Sequence, residues 1–264
     1  MNIEQITKRA CEATAKAAAF IQKESLTFDK SKTEQKGLHD LVSYVDKTAE
    51  RILVEAFQKI LPSAGFITEE STISKSENEL QWIIDPLDGT TNFIHGLPCY
   101  CVSIALRQGD TLVMGIVHEI NFNETFYCWK NGGAWLNGKR IHVSKTDKLQ
   151  HALLATGFPY TNYSRMEEYM KVFDYCMRNT RGLRRLGSAA ADLAYTACGR
   201  LDGFFEYGLN SWDVAGGALL VKEAGGKVAD FSGGNNFIFG EEIVACNSGT
   251  FEEFMEVINR SFKQ

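Results

Sequence analysis

Trp82-Ile83-Ile84-Asp85-Pro86-Leu87-Asp88-Gly89-Thr90-Thr91-Asn92-Phe93 is the stretch on which the reading of this chain turns. Its apolar opening, residues 82–84, predicts a buried strand. The strand ends on the carboxylate of Asp85. Pro86, with no N–H to donate, is expected to stop the ladder. Asp88 follows, and Gly89 lets the backbone turn and approach a ligand closely. Thr90, Thr91 and Asn92 are short polar residues suited to starting a helix.

Two carboxylates at the end of a buried strand cost free energy unless something neutralises them. A hard divalent cation such as Mg²⁺ does so through oxygen ligands. A helix starting near Gly89 would aim free N–H groups at an anion beside that metal. An EF-hand loop does not fit, because its alternating oxygen ligands and closing glutamate are missing.

The full chain has 264 residues and a formal net charge of −5. That length supports a large core in one domain, residues 1–264, with an N-terminal half (1–145) holding the metal stretch and a C-terminal half (146–264). A mildly acidic balance without basic runs argues against a nucleic-acid surface. No apolar run approaches the roughly 20 residues of a membrane span, and residues 1–24 lack a signal-peptide block, so a soluble cytoplasmic protein is expected. Seven cysteines without a Cys-x-x-Cys pair point to reduced, buried thiols rather than zinc or disulfides.

Apolar spacing predicts a helix over residues 3 to about 24. The polar stretch 27–39 reads as a loop. Residues 40–46 lead into a second helix that runs to about residue 60, with Asp46 as its expected N-cap. Residues 65–70 read as a short strand ending on Glu69 and Glu70, and 71–79 as a polar connection. Over residues 99–141, alternating runs at 102–106, 112–119, 125–129 and 134–136 are separated by turn signals and predict an antiparallel meander. The second half alternates. Strands are expected at 153–156, 203–206, 226–230 and 243–246, and helices at 166–177, 188–198, 214–224 and 251–262. The result is an α/β protein with two sheets and helix layers between and outside them.

Asp85 through Phe93 resembles the first signature of the inositol monophosphatase family, the Mg²⁺-dependent, lithium-sensitive phosphatases. Trp212-Asp213-Val214-Ala215-Gly216 and Glu223-Ala224-Gly225-Gly226 resemble the second. With Glu69-Glu70 upstream, the matches follow the family's order across most of the chain. The resemblance implies a layered α-β-α-β-α sandwich of the inositol monophosphatase and fructose-1,6-bisphosphatase type. It also implies two to three Mg²⁺ ions held by Glu69, Asp85, the Leu87 carbonyl, Asp88 and Asp213. Glu69 and Thr90, with Asp46 behind Thr90, would orient and deprotonate a water. Asp88, Gly89, Thr90 and Asp213 would meet the substrate beside the metals. Glu206 and the segment Gly187-Ser188-Ala189 would contact the sugar-like ring. Homodimers and inhibition by lithium belong to the same picture.

The expected reaction is hydrolysis of myo-inositol 1-phosphate. Fructose 1,6-bisphosphate, a nucleotide 3′-phosphate or another sugar phosphate remain open within the same chemistry, although Thr91-Asn92-Phe93 favours the inositol branch. A haloacid-dehalogenase-like phosphatase also ends a strand on paired aspartates, but at i and i+2, whereas here they stand at i and i+3 around Pro86. A binding role is a third class, because some bacterial relatives act in RNA-polymerase or ribosomal RNA complexes. Thr68 departs from the glycine common before the paired acids, and His95 reads as structural. Arg184 and Arg185 are expected to pair with acids, face phosphate or lie at a subunit contact.

Overall fold

A computed structural model describes residues 2–29, 31, 33–35, 41–75, 78–160 and 162–262. Helix α1 (Ile3–Ser25) is capped by the Asn2 side chain, which accepts from Gln5 N at 3.1 Å, and it buries Ala10, Ala13, Ala17 and Ile21 on one face. Strands β1 (Thr33–Gln35) and β2 (Leu41–Ser43) pair antiparallel. The expected loop over 27–39 is therefore interrupted by a short strand, whose backbone bonds are met by a partner that the polar sequence did not announce. Residues 36–40 lie outside the described residues.

Helix α2 (Tyr44–Ile60) starts one cap earlier than the sequence suggested. Ser43 is the N-cap, in extended backbone, and Asp46 is the third helical residue, reaching back to Ser43 N at 2.9 Å. A carboxylate with longer reach closes the capping box from inside the helix, while the shorter hydroxyl stays at the cap. Strand β3 (Gly65–Thr68) lies parallel to β4 (Leu80–Asp88). Pro86 interrupts the ladder without ending it: pairing with β5 (Cys101–Gln108) skips from Asp85 to Asp88, which faces Cys101. Helix α3 (Thr90–His95) sits between them. The meander continues through β6 (Thr111–Glu119), β7 (Glu124–Trp129), β8 (Gly133–Leu136) and β9 (Lys139–Ile141), and gives a seven-stranded sheet in the order β3 to β9.

The second half runs β10 (Leu153–Thr156), α4 (Met166–Asn179), β11 (Gly182–Arg184), α5 (Ala189–Ala197), β12 (Gly203–Tyr207), α6 (Ser211–Glu223), β13 (Lys227–Ala229), β14 (Glu242–Cys246) and α7 (Phe251–Phe262). Its five strands order as β11-β10-β12-β14-β13. Strand β11 was not anticipated, because three residues are too few for a periodic signal; parallel pairing with β10 holds it.

Helices α1 and α2 cover the outer face of the large sheet, α5 and α6 lie between the sheets, and α4 and α7 cover the small sheet. The layers are α-β-α-β-α, as the family resemblance implies. Phe57 of α2 stacks on Trp82 of β4 with ring centroids 4.3 Å apart, fixing the outer layer over the strand that carries Asp85. The central layer approaches the sheet more closely. A Cβ on Gly216 of α6 would lie 2.7 Å from the Ile104 carbonyl, and one on Gly115 of β6 would lie 2.5 Å from the Gly216 carbonyl. Only glycine permits that backbone-to-backbone seating, which sets the position of the α6 N-terminus and of Asp213. No helix among the described residues is long and apolar enough to cross a membrane.

Candidate active site

The cavity between the two halves has a volume of about 340 Å³. It opens where β4, α3, α5 and α6 converge. Asp85, opposite Ser103 in the ladder, is 2 % exposed, and its Oδ1 accepts from Leu87 N at 2.9 Å. The break in the ladder at Pro86 lets Asp85 and Asp88, three residues apart, both line the cavity. Gly89 then takes a left-handed conformation (φ +92°), and a Cβ there would lie 3.0 Å from the Cys99 carbonyl.

Thr90 opens α3 and is held from two sides. Its Oγ1 lies 3.0 Å from Asp46 Oδ1 and 2.8 Å from the Leu87 carbonyl. A hydroxyl has one proton to give, so with that proton directed at Asp46 or Leu87 its lone pairs are free to accept. Asp46 is itself fixed, since its Oδ2 accepts from Ser43 N (2.9 Å) and Ser43 Oγ (2.7 Å). The capping box of α2 is thus also the support of Thr90.

The central helices supply the rest. Asp88 Oδ2 accepts from Ser188 Oγ and from Ala190 N at the start of α5, both at 2.7 Å. Ser188 is the N-cap of α5, as its residue type suggested. Helix α6 starts at Ser211 rather than Val214, so Asp213 lies within its first turn and accepts from Asn210 N at 2.7 Å. The bond from Asn210 N to Asp213 closes a capping box that brings the helix start ahead of the expected residue 214.

Carboxylate oxygens of Asp85, Asp88 and Asp213 lie within 4.8 Å of one another. Burial pushes all of these acids upward: Glu69 and Asp85 rise well above the carboxylate range, Asp213 rises to about 7 and Asp88 to about 6. Mutual repulsion adds to burial for Glu69, Asp85 and Asp213. The Ser188 hydroxyl, the Ala190 N–H and the Arg185 charge pull Asp88 part of the way back. Among the described residues no lysine or arginine forms an ion pair with these carboxylates. The donor set is all oxygen, buried at Asp85 and half-buried elsewhere, and short of positive charge, so it fits a hard divalent cation.

Gly89, Thr90, Gly187, Ser188, Ala189 and Glu206 line the same cavity. Asp46 does not line it and acts through Thr90. Glu50 and Asp192 were not anticipated, whereas Arg185 was expected to face phosphate, pair with acids or lie at a subunit contact. Glu50, fully buried on α2, accepts from Glu70 N (2.8 Å), Thr72 N (2.7 Å) and Thr72 Oγ1 (2.7 Å), and so holds the loop that follows Glu69. It stands four residues after Asp46, on the same helix face, and that spacing was a usable signal. Arg185 lines the cavity and donates to the Tyr160 hydroxyl at 2.8 Å, while Arg184, exposed like Arg185, does not line it. Asp192 lines the wall from inside an alanine-rich helix.

Comparison with known proteins follows this geometry. Residues 2–264 match the inositol monophosphatase family. The chain is 44 % identical over 239 residues to a protein named Nus factor SuhB from Escherichia coli strain K12, with 90 % of each chain covered. Among solved structures, the extragenic suppressor protein suhB from Bartonella henselae superposes with a TM-score of 0.90 at 35 % identity, covering 97 % of this chain and 99 % of that one. The inositol monophosphatase from Anabaena superposes with a TM-score of 0.86 at 33 % identity, covering 98 % of this chain and 97 % of that one. With the cavity acids, the layered fold and a match across almost its whole length in agreement, this chain belongs to the inositol monophosphatase family.

Proposed function

We propose that the chain is a Mg²⁺-dependent phosphomonoesterase that hydrolyses myo-inositol 1-phosphate by attack of water. The observation that carries this reading is the Asp85, Asp88 and Asp213 cluster standing beside a Thr90 hydroxyl already oriented by Asp46. Glu69, Asp85, the Leu87 carbonyl, Asp88 and Asp213 are the residues that would hold two to three Mg²⁺ ions. Bound there, the cations would lower the pKa of water and stabilise the charge on the departing alkoxide. Thr90 Oγ1 takes a proton from the attacking water as its own proton passes to Asp46, and Glu69 helps orient the same water. A water near Asp213 would supply the proton that the leaving oxygen takes up. The N–H groups at Gly89 and Thr90 face the phosphoryl oxygens. Glu206 and residues 187–189 meet the polyol. Positioning and electrostatics carry most of the rate in such a site.

The family resemblance supports a cytoplasmic homodimer inhibited by lithium. The layered fold leaves the haloacid-dehalogenase class, with its aspartyl nucleophile, without support. Fructose 1,6-bisphosphate and nucleotide 3′-phosphates remain the competing esters. A second reading is a binding role alongside catalysis, favoured by the relatives named Nus factor SuhB.

Phosphate release at fixed Mg²⁺ from myo-inositol 1-phosphate, fructose 1,6-bisphosphate, adenosine 3′,5′-bisphosphate and glycerol 2-phosphate tests both readings, with Asp88→Asn as control. Preference for the inositol ester, lost in the variant, is expected. Preference for another ester moves the substrate and keeps the mechanism. No release from any ester by folded protein sinks the catalytic reading and leaves the binding role.

A further inference from the structure

Asp192 lies on α5, one turn past the N-cap Ser188, and is 1 % exposed. It lines the cavity. Among the described residues no donor reaches its buried Oδ1. Such a carboxylate is costly to fold around unless a ligand donates to it. Arg185 is the adjacent cation and bears electrostatically on Asp192, but its guanidinium hydrogen bond goes to the Tyr160 hydroxyl at 2.8 Å. Arg185 therefore does not consume the Asp192 acceptor.

The surroundings indicate what does. Arg185 also bears on Glu206, whose carboxylate packs against Gly157, where a Cβ would lie 2.1 Å from Glu206 Oε1. The wall thus offers a donor fork together with two carboxylate acceptors. Neighbouring hydroxyls of a polyol, each able to donate and accept, match that alternation. A plain aryl group does not.

Building on the proposed phosphatase reading, we propose that Asp192 accepts a hydrogen bond from a hydroxyl of a polyol phosphate and so helps determine specificity for the polyol half of the substrate. In this role it meets the polyol rather than the phosphoryl group, although Asp88 bears on it electrostatically.

The test compares kcat/KM for myo-inositol 1-phosphate and 4-nitrophenyl phosphate in wild type, Asp192→Asn and Asp192→Ala. Loss of one hydrogen bond to a charged group predicts that the polyol ester falls about ten- to hundredfold further than the aryl ester, chiefly through KM. Equal falls on both esters, or no fall, overturn the assignment. The thermal midpoint of ligand-free Asp192→Asn should equal or exceed that of wild type, because a buried unpaired carboxylate is removed; a marked drop makes the residue structural and also overturns it. If wild type hydrolyses no ester, the phosphatase reading fails separately. Calorimetric titration of myo-inositol 1-phosphate, with Ca²⁺ replacing Mg²⁺, then decides: weaker binding by Asp192→Asn supports the assignment, and equal binding or none by wild type overturns it.

Discussion

At the scale of single residues, Thr90 carries the most testable geometry. Its hydroxyl has one proton, two acceptors at 3.0 and 2.8 Å, and an open side facing the cavity. Thr90→Ala is expected to lower kcat about hundredfold or more, the usual scale for a lost proton acceptor. Its stability should fall by only about 1 kcal/mol, the net value of one hydrogen bond. Thr90→Ser keeps the hydroxyl and should restore most of kcat, and steady-state kinetics with a thermal melt reads both effects. His118 offers a second test far from the chemistry. It is 4 % exposed, and burial lowers its pKa to about 4. The unfolded chain, with an ordinary histidine near 6.5, binds the proton first as pH falls. Stability is therefore lost between about pH 6.5 and pH 4, on the order of 3 kcal/mol in all. His118→Gln should flatten that limb of the denaturation midpoint against pH.

At the scale of elements, the contact between α6 and the large sheet decides whether the site assembles. Gly216 meets the Ile104 carbonyl with no space for a methyl group. Gly216→Ala should cost about 1–3 kcal/mol by overpacking. The same change should lower activity more than any comparable change on α1, because tilting α6 moves Asp213 relative to Asp85 and Asp88. Urea melts and kcat/KM measured together would show it; an unchanged kcat/KM in a destabilised protein would separate the packing of α6 from the placement of Asp213. The N-terminus of α5 plays the matching part, since its cap residue and an early N–H both bind Asp88.

At the scale of the molecule, the cavity acids tie stability to pH and to metal. Asp88 and Asp213 are raised in the folded, metal-free protein to about 6 and about 7, whereas in an unfolded chain they titrate near 4. The folded state then holds more protons between those values, so stability falls as pH rises from about 4 through 7. Mg²⁺ competes with those protons and binds only the folded state, which reverses the trend. The thermal midpoint of metal-free protein is expected to drop from pH 5.5 to pH 8, and the gain on adding Mg²⁺ should be larger at pH 8. Asp213→Asn should diminish both effects. A Mg²⁺ gain independent of pH would show that these carboxylates are not where the cation binds.

Much of this was legible in the residues themselves. The apolar run into Asp85, the Pro86 and Gly89 that follow, and the alternation in the meander are local properties of strands and turns, and they gave the sheets and the position of the acids. Helix α7 was read at its observed limits, Phe251–Phe262, from its regular apolar spacing. What stayed hidden depended on contact across layers. The family resemblance placed Asp46 behind Thr90, but periodicity alone made it an N-cap, and only the structure shows it as the third residue of α2, bonded to Thr90 forty-four residues away. Asp88 is held by α5, a hundred residues on. Asp192 carries no signature of its own, and which of its expected roles Arg185 takes was open, since an acid on a helix or an arginine before a glycine is ordinary until its neighbours are known. The sequence by itself determined which groups are acidic, where strands end on them and how the layers alternate, because those follow from side-chain chemistry and backbone periodicity. Only the tertiary structure decided which acids share one cavity, which are braced and which is left without a partner, because burial and long-range hydrogen bonds exist only once the two halves have closed on each other.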